Sequence, residues 1–285
     1  MSRTRDTLHS ITPEQWPELR DMFKSGWPRN EVPYNTIQNY IKWVKIDPRI
    51  KQLEVLSLND SWRENGTYII IDRYYMFFHT LEESMDSLRR ALRLLDWDYS
   101  YRISQVHESC QPALDEVIQL FAIELQLYNQ TVLYKMTKEE SLNLELVLPD
   151  GLHLKKLEPK HASIANDVWF NRCEGSEYTL RRLAAWNPST GLFNASDELL
   201  AWCMCWSTGA IAALQVAKEH LRKGYGSIVV KAIAKEMAKV GMNCYASVHC
   251  KNLISNLLFK KLGFVPIGSY CVAQTRAKKL AEYGH

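Results

Sequence analysis

The segment Leu221-Arg222-Lys223-Gly224-Tyr225-Gly226 separates a short apolar, strand-like run, Ala210 to Val216, from a helix-like run, Ser227 to Val240. In the helix-like run Ile228, Val229, Ala232, Ile233, Met237 and Val240 recur at helical spacing, with Lys231, Lys235 and Lys239 on another face. A Gly-x-Gly turn that opens a helix leaves several backbone N–H groups without intrahelical acceptors. Glycine lets that backbone approach a ligand closely, and the helix N-terminus adds positive potential. The place therefore suits a phosphate or diphosphate. Two familiar phosphate loops do not fit. There is no G-x-x-x-x-G-K-[ST], and the third glycine of a dinucleotide fingerprint is missing.

The next element narrows the reading. Val248 to Phe264 reads V-x-x-x-N-x-x-S-x-x-L-F-x-x-L-G-F. The pattern predicts a strand, a helix capped by Asn252, and a stop at Gly263 in the left-handed position. Leu257, Leu258 and Leu262 are expected to face a core, and Phe264 to restart a strand.

Together these two segments resemble the acyl-CoA-binding half of the GNAT superfamily of N-acyltransferases, and the resemblance covers roughly residues 151 to 275. Gly151 to Leu157 is similar to the first strand of that fold, and Lys160 to Phe170 and Tyr178 to Trp186 to its first two helices. Gly191 to Ala195, Glu198 to Trp206 and Ala210 to Val216 resemble its antiparallel meander, with Ser207-Thr208-Gly209 as a hairpin turn. Asn243 to Val248 resembles the following strand. The closest subfamily resemblance is to the glycine N-acyltransferase-like proteins, through the uninterrupted stretch Trp202 to Gly226.

The resemblance implies acetyl-CoA or another acyl-CoA as co-substrate, and a small-molecule amine or amino acid as acceptor. The co-substrate would lie in a splay between the strands ending at Val216 and Val248. Main-chain groups of Leu214, Gln215 and Val216 would pair with the pantetheine amides. N–H groups from Arg222 through Lys223, Gly224, Tyr225, Gly226 and Ser227 would hold the diphosphate. Arg222 and Lys223 would meet the remaining phosphate. Asn252 would order the pantetheine arm, and the helix carrying Ser255 and Phe259 would flank the thioester. Three departures stand out. Leu221 occupies a position that is usually Gln or Arg. Phe259 stands where many members carry a Tyr that protonates the departing thiolate. Ala210 stands where the glycine-conjugating members carry a Glu proposed as base. Glu219, His249 and Ser255 are the candidate substitutes for catalysis. The alternative is a non-catalytic acyl-CoA binder or scaffold; a protein N-terminal or lysine acetyltransferase is a further one.

At 285 residues the chain is expected to hold two domains, 1–148 and 149–285, divided at the turn-like Leu148-Pro149-Asp150-Gly151. The expected fold class is α+β with a mixed sheet. In the first domain, helix starts are expected at Thr12-Pro13-Glu14-Gln15 and Thr80-Leu81-Glu82-Glu83. Strands are expected at Leu53 to Leu58, Thr67 to Asp72 and Tyr74 to Phe78, with Asn65-Gly66 as a hairpin turn, followed by helices at Leu81 to Leu95 and Pro112 to Leu127. This order echoes the second half, as a diverged copy of the same fold would. No glycine lies between Gly66 and Gly151, so this half is not expected to cradle a diphosphate.

A net charge of +3 argues against nucleic acid as a partner. The longest apolar run, Leu199 to Trp206, is too short for a membrane span. The N-terminus, with Arg3, Arg5, Asp6 and His9, has no apolar core for a secretory signal, and Asp6 interrupts a mitochondrial pattern. The seven cysteines lack a C-x-x-C, which predicts a cytoplasmic, reducing setting and no metal site.

Overall fold

The computed structural model describes residues 5–279, so Arg3 lies outside the described residues. Two compact units emerge. One comprises the residues up to Val132 together with those from Gly268; the other comprises Leu133–Ile267. The expected division at 148/149 falls inside the second unit, in the segment between its first helix and first full strand.

Along the chain the first unit contains β1 (Leu8–Ser10), α1 (Trp16–Met22), α2 (Glu31–Ile46), β2 (Leu53–Leu58), α3 (Trp62–Asn65), β3 (Tyr68–Asp72), β4 (Tyr75–His79), α4 (Asp86–Leu92), β5 (Arg102–His107), α5 (Gln111–Leu120) and the start of β6 (Leu125–Met136). The second contains the end of β6, then α6 (Lys138–Leu142), β7 (His153–Lys155), a 3₁₀ turn (Pro159–His161), α7 (Ala162–Asp167), α8 (Ser176–Trp186), β8 (Ser189–Phe193), β9 (Leu199–Cys205), β10 (Ala210–Val216), a 3₁₀ turn (Lys218–His220), α9 (Tyr225–Lys239), β11 (Cys244–His249), α10 (Leu253–Lys261) and the start of β12 (Val265–Thr275).

Strand order in unit 1 is β1-β2-β3-β4-β5-β12-β6, and in unit 2 it is β6-β11-β10-β9-β8-β7. β1 through β4 pair antiparallel, and β4 meets β5 in parallel. β7 through β10 repeat that pattern, with β10 parallel to β11. Each parallel pair is joined by one crossover helix, α4 or α9, as parallel strands require. The two halves are thus two copies of one mixed α/β plan. The end of each copy's last strand belongs to the other unit. β12 pairs with β5, with Tyr270 opposite His107, while Leu133–Met136 of β6 belong to unit 2.

Unit 1 packs Leu88, Leu92, Leu114 and Val117 of α4 and α5 onto Met76, Phe78, Ile103 and Val106 of the sheet. Unit 2 buries Val229, Val230, Ile233 and Met237 of α9, and the Cys203 thiol on β9 donates to the Val229 carbonyl at 3.4 Å. The lysine face of α9 also has work. Lys235 Nζ donates to the carbonyls of Leu142, the last residue of α6, and of Leu144 just beyond it, tying down that segment.

Several expected boundaries move. Asn65-Gly66 is not a hairpin turn but the end of α3, with Gly66 left-handed at φ 65°. The hairpin falls at Arg73, which takes φ 59° between β3 and β4. The helix expected from Leu81 begins only at Asp86, because Thr80 Oγ1 accepts from the Glu82 N–H and holds a turn there. The helix expected from Pro112 to Leu127 ends at Leu120, and Leu125 opens β6.

Gly191 on β8 leaves no room for a side chain. A Cβ there would stand 2.6 Å from Phe193 Cε2 and 2.8 Å from both Leu157 Cδ2 and Leu199 Cδ1. Gly191→Ala is expected to cost about 1–3 kcal/mol of stability through overpacking. A thermal melt reads this as a lowered Tm; an unchanged Tm would show that the three side chains retreat freely.

Candidate functional site

β10 and β11 start as partners and then separate. Their parallel ladder runs over Ala210↔Tyr245 and Ile211↔Ala246, whereas β10 continues to Val216 and β11 to His249. The cause lies in β10. Ala213 takes φ 50°, and the register against β9 shifts between Ala212 and Gln215. A bulge of this kind bends the strand that carries it. On its other edge β10 recovers pairing, with Gln215 opposite Trp202, Val216 opposite Ala201, and the Ala217 N–H donating to Leu200 O at 2.8 Å. The open edge is therefore the one facing β11. Leu214, Gln215 and Val216 are half-buried there, unlike the buried start of the strand.

The Gly-containing loop closes one end of this opening. Arg222 and Gly224 are both left-handed, at φ 65° and 82°, and Gly224 precedes α9 without any side-chain cap. The N–H groups of Leu221 through Gly226 have no partner among the described residues, and the first main-chain bonds of the helix are donated by Ser227 and Ile228 to Gly224 O. Six successive free N–H groups at the head of a helix form a strong anion-attracting concavity. A Cβ at Gly224 would meet nothing within 4 Å, and one at Gly226 would touch only Val216 Cγ2 at 3.7 Å. The loop is therefore open in front and seated against the end of β10. Among the described residues Lys218, Arg222 and Lys223 have no carboxylate partner, and Lys223 Nζ instead approaches His220 Nδ1 at 3.2 Å. The His220 ring stacks on Tyr225 with centroids 6.0 Å apart.

The corner from β11 into α10 is fixed by asparagines. Asn252 Oδ1 accepts from the Ser255 N–H at 3.1 Å, as its capping position predicts. Asn256 Nδ2 donates to His249 O at 3.0 Å and Asn252 O at 2.7 Å, while its Oδ1 accepts from the Tyr134 hydroxyl at 2.8 Å. His249 Nδ1 accepts from the Lys251 N–H at 3.0 Å, so in the neutral ring Nε2 carries the proton.

Phe259 turns inward. It is 4% exposed, stacked on Tyr134 at 6.3 Å and edge-on to Phe264 at 5.2 Å. Leu257, expected in the core, is 67% exposed, and Leu253 and Ile254 lie open beside it. The helix is rotated from its expected setting because Phe259, the largest side chain, takes the place against Tyr134. Tyr134 and Asn256 were not singled out from sequence. Asn256 sits four residues beyond the cap, which is a weak signal; Tyr134 arrives from β6, a strand that lies in the stretch assigned to the first domain and was not expected there. Arg182 is another such residue. It is 4% exposed on α8, with its guanidinium 4.6 Å from the Tyr178 ring centroid, while the adjacent Arg181 pairs with Glu177 at the surface.

Unit 1 treats the matching places differently. At the head of α4 the Glu82 carboxylate accepts from the Ser87 N–H at 2.8 Å. The chain's own anion stands where α9 has open N–H groups.

Comparison with known proteins bears on the fold. Residues 189–273 match the FR47-like protein family. A Drosophila protein of known structure superposes with a TM-score of 0.85 at 19% identity, covering 96% of this chain and all of its own. A tandem GNAT protein from the clavulanic acid biosynthesis pathway superposes at 0.58 with 12% identity, over 98% of this chain and 100% of its own. A GCN5-related N-acetyltransferase from Sphaerobacter thermophilus gives 0.58 at 9% identity, over 98% of each chain. No curated protein matches the chain by sequence. The chain thus has the GNAT acetyltransferase fold, in a two-copy arrangement. No helix among the described residues is long and apolar enough to cross a membrane.

Removing the Asn256 amide would orphan the buried Tyr134 hydroxyl and take a donor from the carbonyls of His249, Cys250 and Asn252 at once. Asn256→Ala is expected to cost about 1–3 kcal/mol. Chemical denaturation measures it, and a loss below about 0.5 kcal/mol would mean water replaces the amide without penalty.

Proposed function

We propose that unit 2 binds acyl-CoA and transfers its acyl group to the amine of a small molecule or amino acid. The observation that supports this most directly is the run of partnerless N–H groups from Leu221 to Gly226, placed beside the unpaired edge of β10. The diphosphate would sit on those N–H groups and on Ser227. Arg222 and Lys223, which lack carboxylate partners among the described residues, would take the remaining phosphate. Main-chain groups of Leu214, Gln215 and Val216 would pair with the pantetheine amides as an added strand would. The glycine N-acyltransferase-like proteins are the subfamily the reading favours.

In the reaction the amine nitrogen forms a bond to the thioester carbonyl carbon, the carbon–sulfur bond breaks, and the thiolate takes up a proton. Alignment of amine and thioester supplies much of the rate. Ser255, capped by Asn252 and half-buried at the first turn of α10, has a hydroxyl with no partner among the described residues. It is the candidate donor to the thiolate. His249 in its neutral form presents an Nε2–H, which suits polarising a carbonyl better than accepting a proton. Glu219, exposed on the 3₁₀ turn, is the remaining candidate base. Phe259 acts only through the placement of α10.

A second reading, a non-catalytic acyl-CoA binder, is favoured by Ala210. That residue is buried within the ladder opposite Tyr245, so no carboxylate stands there. Release of free thiol from acetyl-CoA across a panel of amines separates the two readings; binding without turnover favours the second.

Acetyl-CoA at a hundred times its Kd is expected to stabilise the protein by about 2.7 kcal/mol. Gly226→Val should fold, because its Cβ meets only Val216, yet its side chain would crowd the N–H groups. The thermal shift with acetyl-CoA should therefore vanish in this variant while the ligand-free Tm holds. A retained shift would place the co-substrate elsewhere.

A further inference from the structure

A row of polar aromatic side chains crosses the sheet of unit 1 at one level. Tyr68 on β3 lies opposite His79 on β4, and Tyr270 on β12 lies opposite His107 on β5. The two imidazoles bridge these pairs, with centroids 6.2 Å apart, and His107 stands 5.1 Å from the Tyr270 ring. The row sits where β4 and β5 part, since their parallel ladder runs only over Tyr75↔Arg102 and Met76↔Ile103. In open α/β sheets the carboxyl ends of separating parallel strands are where ligands bind.

The row is poorly satisfied from within. The Nδ1 of His79 is buried and makes no well-formed hydrogen bond, Thr80 offering only a weak main-chain contact. His107 Nδ1 lies 2.8 Å from the Ser109 hydroxyl and accepts from the Ser109 N–H at 3.1 Å. Arg29, on the loop leading into α2, is exposed and has no carboxylate partner among the described residues. Its charge acts on His79, His107, Cys110 and Tyr270 alike. Glu108 acts on His107 and Tyr270, from the corner between β5 and α5.

The protonation states leave the row without negative charge of its own. Burial, then the neighbouring His107 and the cation Arg29, pull His79 down to about 4. Burial also lowers His107, against the opposing pull of Glu108. Burial raises the Cys110 thiol to about 11 and the Tyr270 and Tyr68 phenols well above their usual range. At neutral pH the row therefore holds neutral donors and acceptors, within reach of the charge of Arg29. No group of three His, Cys, Asp or Glu residues suited to a metal ion occurs among the described residues.

We propose that unit 1 carries a second binding site, for a small oxyanion (a carboxylate or a phosphate), held by Arg29 at the rim and by His79, His107 and Tyr270 on the floor. This site is distinct from the head of α4, which Glu82 already fills. It does not depend on acyl-CoA binding in unit 2.

The test follows the histidine ring signals of the full-length protein by NMR during titration with sodium phosphate and, separately, sodium acetate, against sodium chloride at equal ionic strength. The signals of His79 and His107 should shift together and saturate, and both imidazoles should titrate at higher pH with the anion bound. Saturation by phosphate alone identifies a phosphate-bearing ligand; saturation by acetate as well identifies a carboxylate. Arg29→Gln, at an exposed position, should weaken binding at least tenfold, and Glu108→Gln should tighten it. Signals that respond equally to chloride, affinity unchanged in Arg29→Gln, or affinity weakened in Glu108→Gln would each overturn the assignment.

Discussion

The bulge at Ala213 is the constraint from which the functional half takes its shape. A regular β10 would stay hydrogen-bonded to β11 along its length and offer nothing to a ligand. With Ala213 at φ 50°, the pairing stops after Ile211, and the main chain beyond it keeps its partners on the β9 side only. Unpaired backbone polar groups are costly where water is excluded, so such an edge persists only where solvent or a ligand can reach it. The loop beyond Val216 extends the same condition. Two left-handed residues, Arg222 and Gly224, turn successive N–H groups toward open space before α9 begins.

The two copies show how one plan can be opened or closed. In both, a parallel pair separates and a crossover helix starts nearby. At α9 the first turn is unfilled and flanked by cations without acidic partners. At α4 a glutamate from the preceding turn bonds to the helix N–H, and the residue before the helix is Met85 rather than glycine. A single carboxylate is enough to spend the favourable potential of a helix end on the protein itself.

Much of unit 2 was legible in its residues. Ala210 to Val216 was bounded correctly, and Asn252 caps α10 as its spacing from Ser255 suggests, because both are local patterns. Unit 1 was harder. Asn65-Gly66 reads as a hairpin turn in isolation, but Trp62 buries itself and completes a helical turn before Gly66. Leu125 to Met136 has no glycine or proline to announce the change from helix to strand, and what makes it a strand is pairing with distant segments. The rotation of α10 escaped for a similar reason. Phe259 is buried by Tyr134, which lies 125 positions earlier, and no local periodicity encodes that neighbour. Arg182 shows the limit for charged residues, since sequence alone does not tell which of two adjacent arginines goes inside.

The exchange of final strands ties the copies into one inheritance. Each unit is finished by a segment that the chain writes in the other half, β12 for the first and Leu133–Met136 for the second. A chain of this design has no seam between its copies. Cutting the chain between the copies takes from each unit the segment that completes its sheet, so neither half is built from its own stretch of sequence alone.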